Sequence, residues 1–186
     1  MSKLQPLSPL GNQSQSSQTV CGTLITENFD TAIASFASRL GKETKAKKEL
    51  GKFLKFECPD VGQLTCKDLC AFWAGPEQWM ILGDYAANEE IADTLVSVTN
   101  GSASVTEQSD AWCRFDLEGD RLADVLERLC PINFREFEGG EAVRTSIEHV
   151  GCFVLCFSKD RISVLGPRSF AGSLHHALVT AIKSAL

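Results

Sequence analysis

An α+β fold, a mostly antiparallel sheet with packed helices, is what this sequence predicts. Three observations carry that reading. Several short segments alternate apolar and polar residues, as half-buried strands do. Other segments place apolar residues at steps of three and four, the signature of a helix with one buried face. Most of these segments follow one another through short turns, which join antiparallel strands far more readily than parallel ones.

The first twenty residues are rich in Ser, Gln and Pro. They offer too little apolar surface to offset ordering entropy, so residues 1–26 are expected to form a flexible N-terminal segment. Leu7 and Leu10, around the tripeptide Ser8-Pro9-Leu10, are the candidates for an anchor on a partner. Ordered structure is expected from about Asn28, giving a single α+β domain over 27–186. Its first element reads as a helix, because Phe29, Ile33, Phe36 and Leu40 recur at helical spacing before Gly41. The basic stretch Lys42 to Lys55 reads as a solvated helix face diluted by Glu43 and Glu49, in preference to an anion site.

From Cys70 to Gly83 the chain reads as two strands hinged at Gly75-Pro76, where Pro76 removes a backbone donor and favours a turn. An amphipathic helix is expected around Asn88 to Val96. Segments 102–105 and 111–117 read as strands flanking a polar turn, with Cys113, Phe115 and Leu117 on one face and Arg114 and Asp116 on the other. A helix then carries the stripe Leu122, Val125, Leu126 and Leu129 and stops at Cys130 before Pro131. Three strands follow, over 141–150, 151–158 and 161–166, the last two joined by a hairpin at Asp160. A final helix runs from about Ser169, with Phe170, Leu174, Leu178 and Ile182 in one row.

Composition excludes some functions. The net charge of −6 and pI near 5.1 argue against a nucleic-acid partner, which needs clustered cations to displace counterions. Apolar runs fall well short of the ~20 residues of a membrane span. The eight cysteines form no C-x-x-C pair, and the histidines lie at no ligand spacing with them, so no metal site is expected. Most sit in apolar runs, where a reduced Cys acts as a small hydrophobe. Because no secretory signal opens the chain, reduced core thiols in a cytoplasmic protein are expected.

A catalytic site is not expected either. The chain has no G-x-S-x-G elbow. Cys130 sits at the negative end of a helix, the wrong end for a thiolate. His175 and His176 are adjacent on a helix and diverge. Glu148 and His149 are adjacent at a strand end and point to opposite faces. Gly139-Gly140 belongs to no dinucleotide or phosphate fingerprint, and Glu89-Glu90 suits a helix start. No cofactor-binding residue is therefore assigned to this chain.

Three stretches resemble the gamma subunit of heterotetrameric sarcosine oxidases. The first is Trp73-Ala74-Gly75-Pro76-Glu77-Gln78-Trp79-Met80. The second runs from Val105-Thr106-Glu107-Gln108-Ser109-Asp110 to Leu129-Cys130-Pro131-Ile132. The third is Gly140-Glu141-Ala142-Val143-Arg144-Thr145, continuing to Arg168-Ser169-Phe170-Ala171 and Ser173-Leu174. The Ser-Pro-Leu tripeptide near the start also fits. Together they span most of the chain from Trp73 onward, in the family's order, and leave Lys42 to Lys55 unassigned.

That resemblance implies a fold similar to the folate-binding domain of the glycine-cleavage T-protein. It implies a non-catalytic subunit of an assembly that demethylates sarcosine to glycine. The expected partners are alpha, beta and delta subunits, carrying FAD, FMN, NAD, folate and zinc between them. Trp73, Trp79, Arg144 and Arg168 become candidate interface residues, since Trp and Arg often anchor interfaces, with a core or surface role as the alternative for each. A second reading is a stand-alone folate-binding or aminomethyltransferase-like protein, with Asp110 or Asp116 as its carboxylate. A third, prompted by the cysteines, is a thiol-based redox or metal protein.

Overall fold

The structure, a computed structural model, describes residues 6–186; the first five residues of the expected N-terminal segment lie outside the described ones. In chain order the elements are β1 (Ser17–Val20), β2 (Thr23–Asn28), β3 (Thr31–Ser38), α1 (Glu43–Leu54), β4 (Leu64–Cys66), β5 (Cys70–Gly75) and β6 (Gln78–Asp84). There follow α2 (Tyr85–Asn88), α3 (Ile91–Thr99), β7 (Ala103–Glu107), β8 (Trp112–Glu118), α4 (Leu122–Leu129), β9 (Glu141–Ile147), β10 (Val150–Ser158), β11 (Arg161–Pro167) and α5 (Ala171–Ala185). The fold is mixed α+β, and every strand pairing is antiparallel.

Two compact units replace the single domain expected over 27–186. One joins the chain up to Phe29 with Asp110–Leu186; the other is Asp30–Ser109. The expected boundary at residue 26 falls inside β2, so it is not a domain edge.

In the first unit six strands lie in the order β1-β2-β8-β11-β10-β9. Alternation along β8 turns Cys113, Phe115 and Leu117 to the side covered by α4 and α5. Leu122, Val125 and Leu126 of α4 and Leu174, Leu178 and Ile182 of α5 complete that core. The helix approaches the sheet closely at Gly166, where a Cβ would lie 2.7 Å from the Leu174 side chain. The α5 helix starts after a 3₁₀ turn at Arg168–Phe170, so Ser169 is not its cap.

The second unit has five strands in the order β4-β5-β6-β3-β7. Ala46, Leu50 and Leu54 of α1 and Ile91, Ala92 and Leu95 of α3 cover one face. The basic stretch is thus one face of a real amphipathic helix. The expected hinge is a hairpin whose corners are Pro76 and Glu77, the latter at φ 56°.

Three further expectations give way. No helix forms over 29–40; β3 runs there instead, and Thr31 to Ala34 are consecutively buried. A central strand buried on both faces loses its alternation, which left only a fortuitous helical spacing. The segments around 105 and 112 do not pair: β7 adds to the second unit's sheet and β8 to the first unit's. Finally, Ser17–Val20 and Thr23–Asn28 form a hairpin through Cys21-Gly22, not a flexible tail. Its residues are polar because β1 is a solvent-facing edge strand, ordered by ladder hydrogen bonds to β2.

The cysteines divide in a way that was not expected. Cys66 and Cys70 are joined in a disulfide, while the other six are thiols. The pair sits directly opposite across the β4–β5 hairpin, a geometry that sequence spacing alone does not reveal.

Candidate functional site

Alternation along β2 places Thr23, Ile25 and Glu27 on the buried side. This sets a carboxylate, only 2% exposed, at the end of an apolar row. Four donors converge on it: Ser8 Oγ at 2.9 Å, the Leu10 N–H at 2.7 Å, Ser16 Oγ at 3.2 Å and Asn12 Nδ2 at 3.4 Å. Backbone bonds from the Ser8 N–H to Asn12 O and from the Gly11 N–H to Ser8 O close the segment into a turn. Glu27 thereby fixes the Ser-Pro-Leu segment that composition alone marks as flexible.

Arg168 holds the same segment from the 3₁₀ turn after β11. Its Nη2 donates to Leu7 O at 2.6 Å, and its Nη1 lies 3.4 Å from Asp110 Oδ1. Leu7 and Phe170 are both about half exposed. Gln18 Nε2 lies 2.9 Å from His175 Nε2, and the His175 ring packs on Phe115 at 5.5 Å. An amide nitrogen donates, so the imidazole nitrogen accepts and the ring is neutral. Burial pushes the His175 pKa down, against a smaller upward pull from the Glu27 charge and with a slight push down from His176.

A second polar cluster lies on the other face of β8. Asp116 Oδ1 accepts from Arg114 Nε at 2.7 Å and from Ser163 Oγ, while Oδ2 accepts from Asn28 Nδ2 at 2.9 Å. Arg114 and Arg161 both lie over the Phe157 ring. Both oxygens of Asp116 are engaged, so it is a structural acceptor here. Asp110, by contrast, has a side chain 93% exposed and faces Arg168.

The four candidate interface residues part company. Trp73 and Trp79 are brought together as direct cross-strand partners on β5 and β6. Trp79 is a core residue, 3% exposed; its Nε1 donates to Pro59 O at 2.9 Å, and it meets Phe36 edge-on at 6.1 Å. Its area is already spent inside its own unit, which removes it as an interface residue. Trp73 is half-buried against the same core. Arg144, on β9, lies over Phe153 with 5.9 Å from guanidinium to ring centre. Arg144 and Arg168 both belong to the first unit.

A groove of about 710 Å³ runs along α5 and is lined by Arg128, Glu148, Phe170, His176 and Thr180 among others. Among the described residues, no group of three or more His, Cys, Asp or Glu side chains is placed to hold a metal ion. Burial raises the thiols of Cys58, Cys113 and Cys152 to about 11 and that of Cys156 to about 12, and also raises Cys130. These sulfurs are therefore protonated and poor nucleophiles at neutral pH. Among the described residues, no helix is long and apolar enough to cross a membrane. Glu27 is the site residue that sequence reasoning missed. Its signal was a carboxylate two steps from Ile25, visible only once β2 is read as a strand.

These features define an α+β protein of two antiparallel sheets, each backed by helices, with a clasped N-terminal turn. No protein-family model matches the chain, and no curated protein matches its sequence. Its fold is similar to that of a chain of heterotetrameric sarcosine oxidase from Corynebacterium sp. U-96, in complex with pyrrole 2-carboxylate. The TM-score is 0.77 at 21% identity, over 89% of this chain and 87% of that one. It is also similar to the glycine cleavage system aminomethyltransferase T from Bartonella henselae, with a TM-score of 0.65 at 15% identity. There the match covers 82% of this chain but 44% of that chain. At these identities the likeness is one of fold.

Proposed function

We propose that this chain is a non-catalytic, gamma-type subunit of a heterotetrameric sarcosine oxidase, stabilising an assembly that demethylates sarcosine to glycine. One observation carries the reading: a single oxidase chain and this chain cover each other almost end to end, at 87% and 89%. The aminomethyltransferase is matched over less than half its length. The three motif stretches add support, because they carry the hairpin of β5 and β6, the α4 exit and the start of α5. In this reading the alpha, beta and delta subunits bring FAD, FMN, NAD, folate and zinc, and the assembly is cytoplasmic. Arg144, Arg168 and Trp73 keep partly accessible side chains and are the proposed contacts.

The test is to tag the chain, purify it from its host at low salt and identify what co-elutes. Three further chains in a yellow, flavin-absorbing eluate support the reading. A colourless monomer overturns it.

The second reading, a stand-alone folate-binding or aminomethyltransferase-like protein, is favoured by the 82% coverage in the aminomethyltransferase superposition. Fold analogy alone does not carry function. Calorimetry of the isolated chain with tetrahydrofolate separates the two: heat of binding supports the second, and a flat titration supports the first.

A further inference from the structure

Among the described residues Cys66 and Cys70 form the disulfide, and of the other six cysteines, all thiols, Cys21 alone is exposed. Four of those six are buried, and a fifth, Cys58, is half-buried. Burial raises all five thiols, which suppresses thiolate formation and oxidation. Cys66, in contrast, is exposed, and Cys70 is only half-buried. The single disulfide among the described residues has thus formed where a soluble thiol can reach a sulfur.

What the bond holds is also specific. It closes a three-residue loop, Lys67-Asp68-Leu69, at the outer edge of the second unit's sheet, where β4 is only three residues long. So short an edge strand has a ladder of only three residue pairs with β5. The loop grips the end of α1 twice. Asp68 Oδ2 accepts from Lys55 Nζ at 2.8 Å, and Lys67 Nζ donates to Lys55 O at 2.8 Å. Lys55 is the left-handed residue that ends the helix, at φ 63°. Next to these two grips, Leu69 is buried in the unit's core.

We propose that Cys66–Cys70 is a reversible thiol–disulfide site, exchanged with small-molecule thiols, and that its redox state switches the clamp on the C-terminal end of α1. In the reducing direction a thiolate of a monothiol such as glutathione attacks the exposed Cys66 sulfur. The S–S bond breaks, and Cys70 leaves as a thiolate and takes a proton from water. A second thiol attacks the small-molecule sulfur of the mixed disulfide and releases Cys66. The sum is one protein disulfide plus two thiols giving one protein dithiol plus one small disulfide. Oxidation by the small disulfide is the reverse.

Thiol trapping tests this on the full-length chain. The protein is equilibrated in buffers of varied reduced-to-oxidised glutathione, quenched with acid, alkylated after unfolding and mapped by mass spectrometry. Labelling of Cys66 and Cys70 is expected to rise together, from near none to near complete, tracking the square of reduced over oxidised glutathione. Amide exchange on the same samples is expected to quicken at 64–67 and at 54–56 in the reduced form. Cys66→Ser with Cys70→Ser is expected to show the reduced exchange pattern at every ratio. Labelling that ignores the ratio overturns the site; labelling that follows it without faster exchange at 54–56 overturns the switch. The labelling arm uses only the native sequence, so a double variant that failed to fold would not blunt it.

Discussion

Glu27 accepts the backbone N–H of Leu10 at 2.7 Å across seventeen positions of sequence. That bond turns a polar N-terminal segment into part of the first unit.

Replacing the carboxylate should undo the clasp. Glu27→Ala strands the donors of Ser8, Leu10 and Ser16 inside a site that is 2% exposed. Unsatisfied buried donors cost about 1–3 kcal/mol each where solvent cannot reach them. Because the segment can peel away and find water, a total of about 2–3 kcal/mol is expected. Urea unfolding reads the loss, and limited proteolysis should newly cut within residues 7–16.

Trp79 should behave as a core residue, not as a contact. Trp79→Ala is expected to cost about 3–5 kcal/mol, the usual range for emptying a large aromatic site. Trp79→Phe keeps most of the volume but loses the bond to Pro59 O and weakens the contact with the Lys47 ammonium 5.5 Å from the ring, for about 1–2 kcal/mol. Denaturant midpoints check both. If Trp79→Phe left stability intact and abolished co-elution with partners, the core assignment would be wrong.

Arg168 and Arg144 offer the opposite test. Arg168 is one-third exposed and Arg144 stacks over Phe153, so each alanine variant should cost under about 1 kcal/mol in the isolated chain. Under the subunit reading either variant weakens co-elution while melting stays nearly unchanged. Pull-down yield set against melting temperature separates the two effects.

His175 supplies a pH dependence of definite sign. Its pKa lies below the ordinary imidazole value because burial disfavours the charged ring. The unfolded chain therefore binds the proton more readily than the folded one, and stability falls with falling pH. The contribution is fully present above about pH 6.5. It is lost as pH drops from there through the lowered folded value, as Nε2 becomes a donor facing the Gln18 amide. Unfolding midpoints across this range should show an acid limb that His175→Gln flattens.

Much of the architecture was legible because local pattern and tertiary environment agreed. The α4 stripe Leu122, Val125, Leu126 is buried as its spacing implies. The β9, β10 and β11 segments pair through the short turns that their flanking residues announce. At β3 the two disagreed. Thr31-Ala32-Ile33-Ala34 is buried between β6 and β7, so the environment on both faces, and not local periodicity, set its structure. The candidate site was harder still. Arg168 was named, but its role depends on Leu7, 161 positions away.

By itself the sequence determined the α+β class, the second half's order of elements and the acidic, helix-punctuated character of the chain, because periodicity and turn chemistry act over a few residues. Only the tertiary structure decided that β7 and β8 enter different sheets and that Glu27 clasps the N-terminal turn. Each depends on which strand lies beside which, and strand pairing is chosen by the burial of whole faces, a quantity that no local window contains.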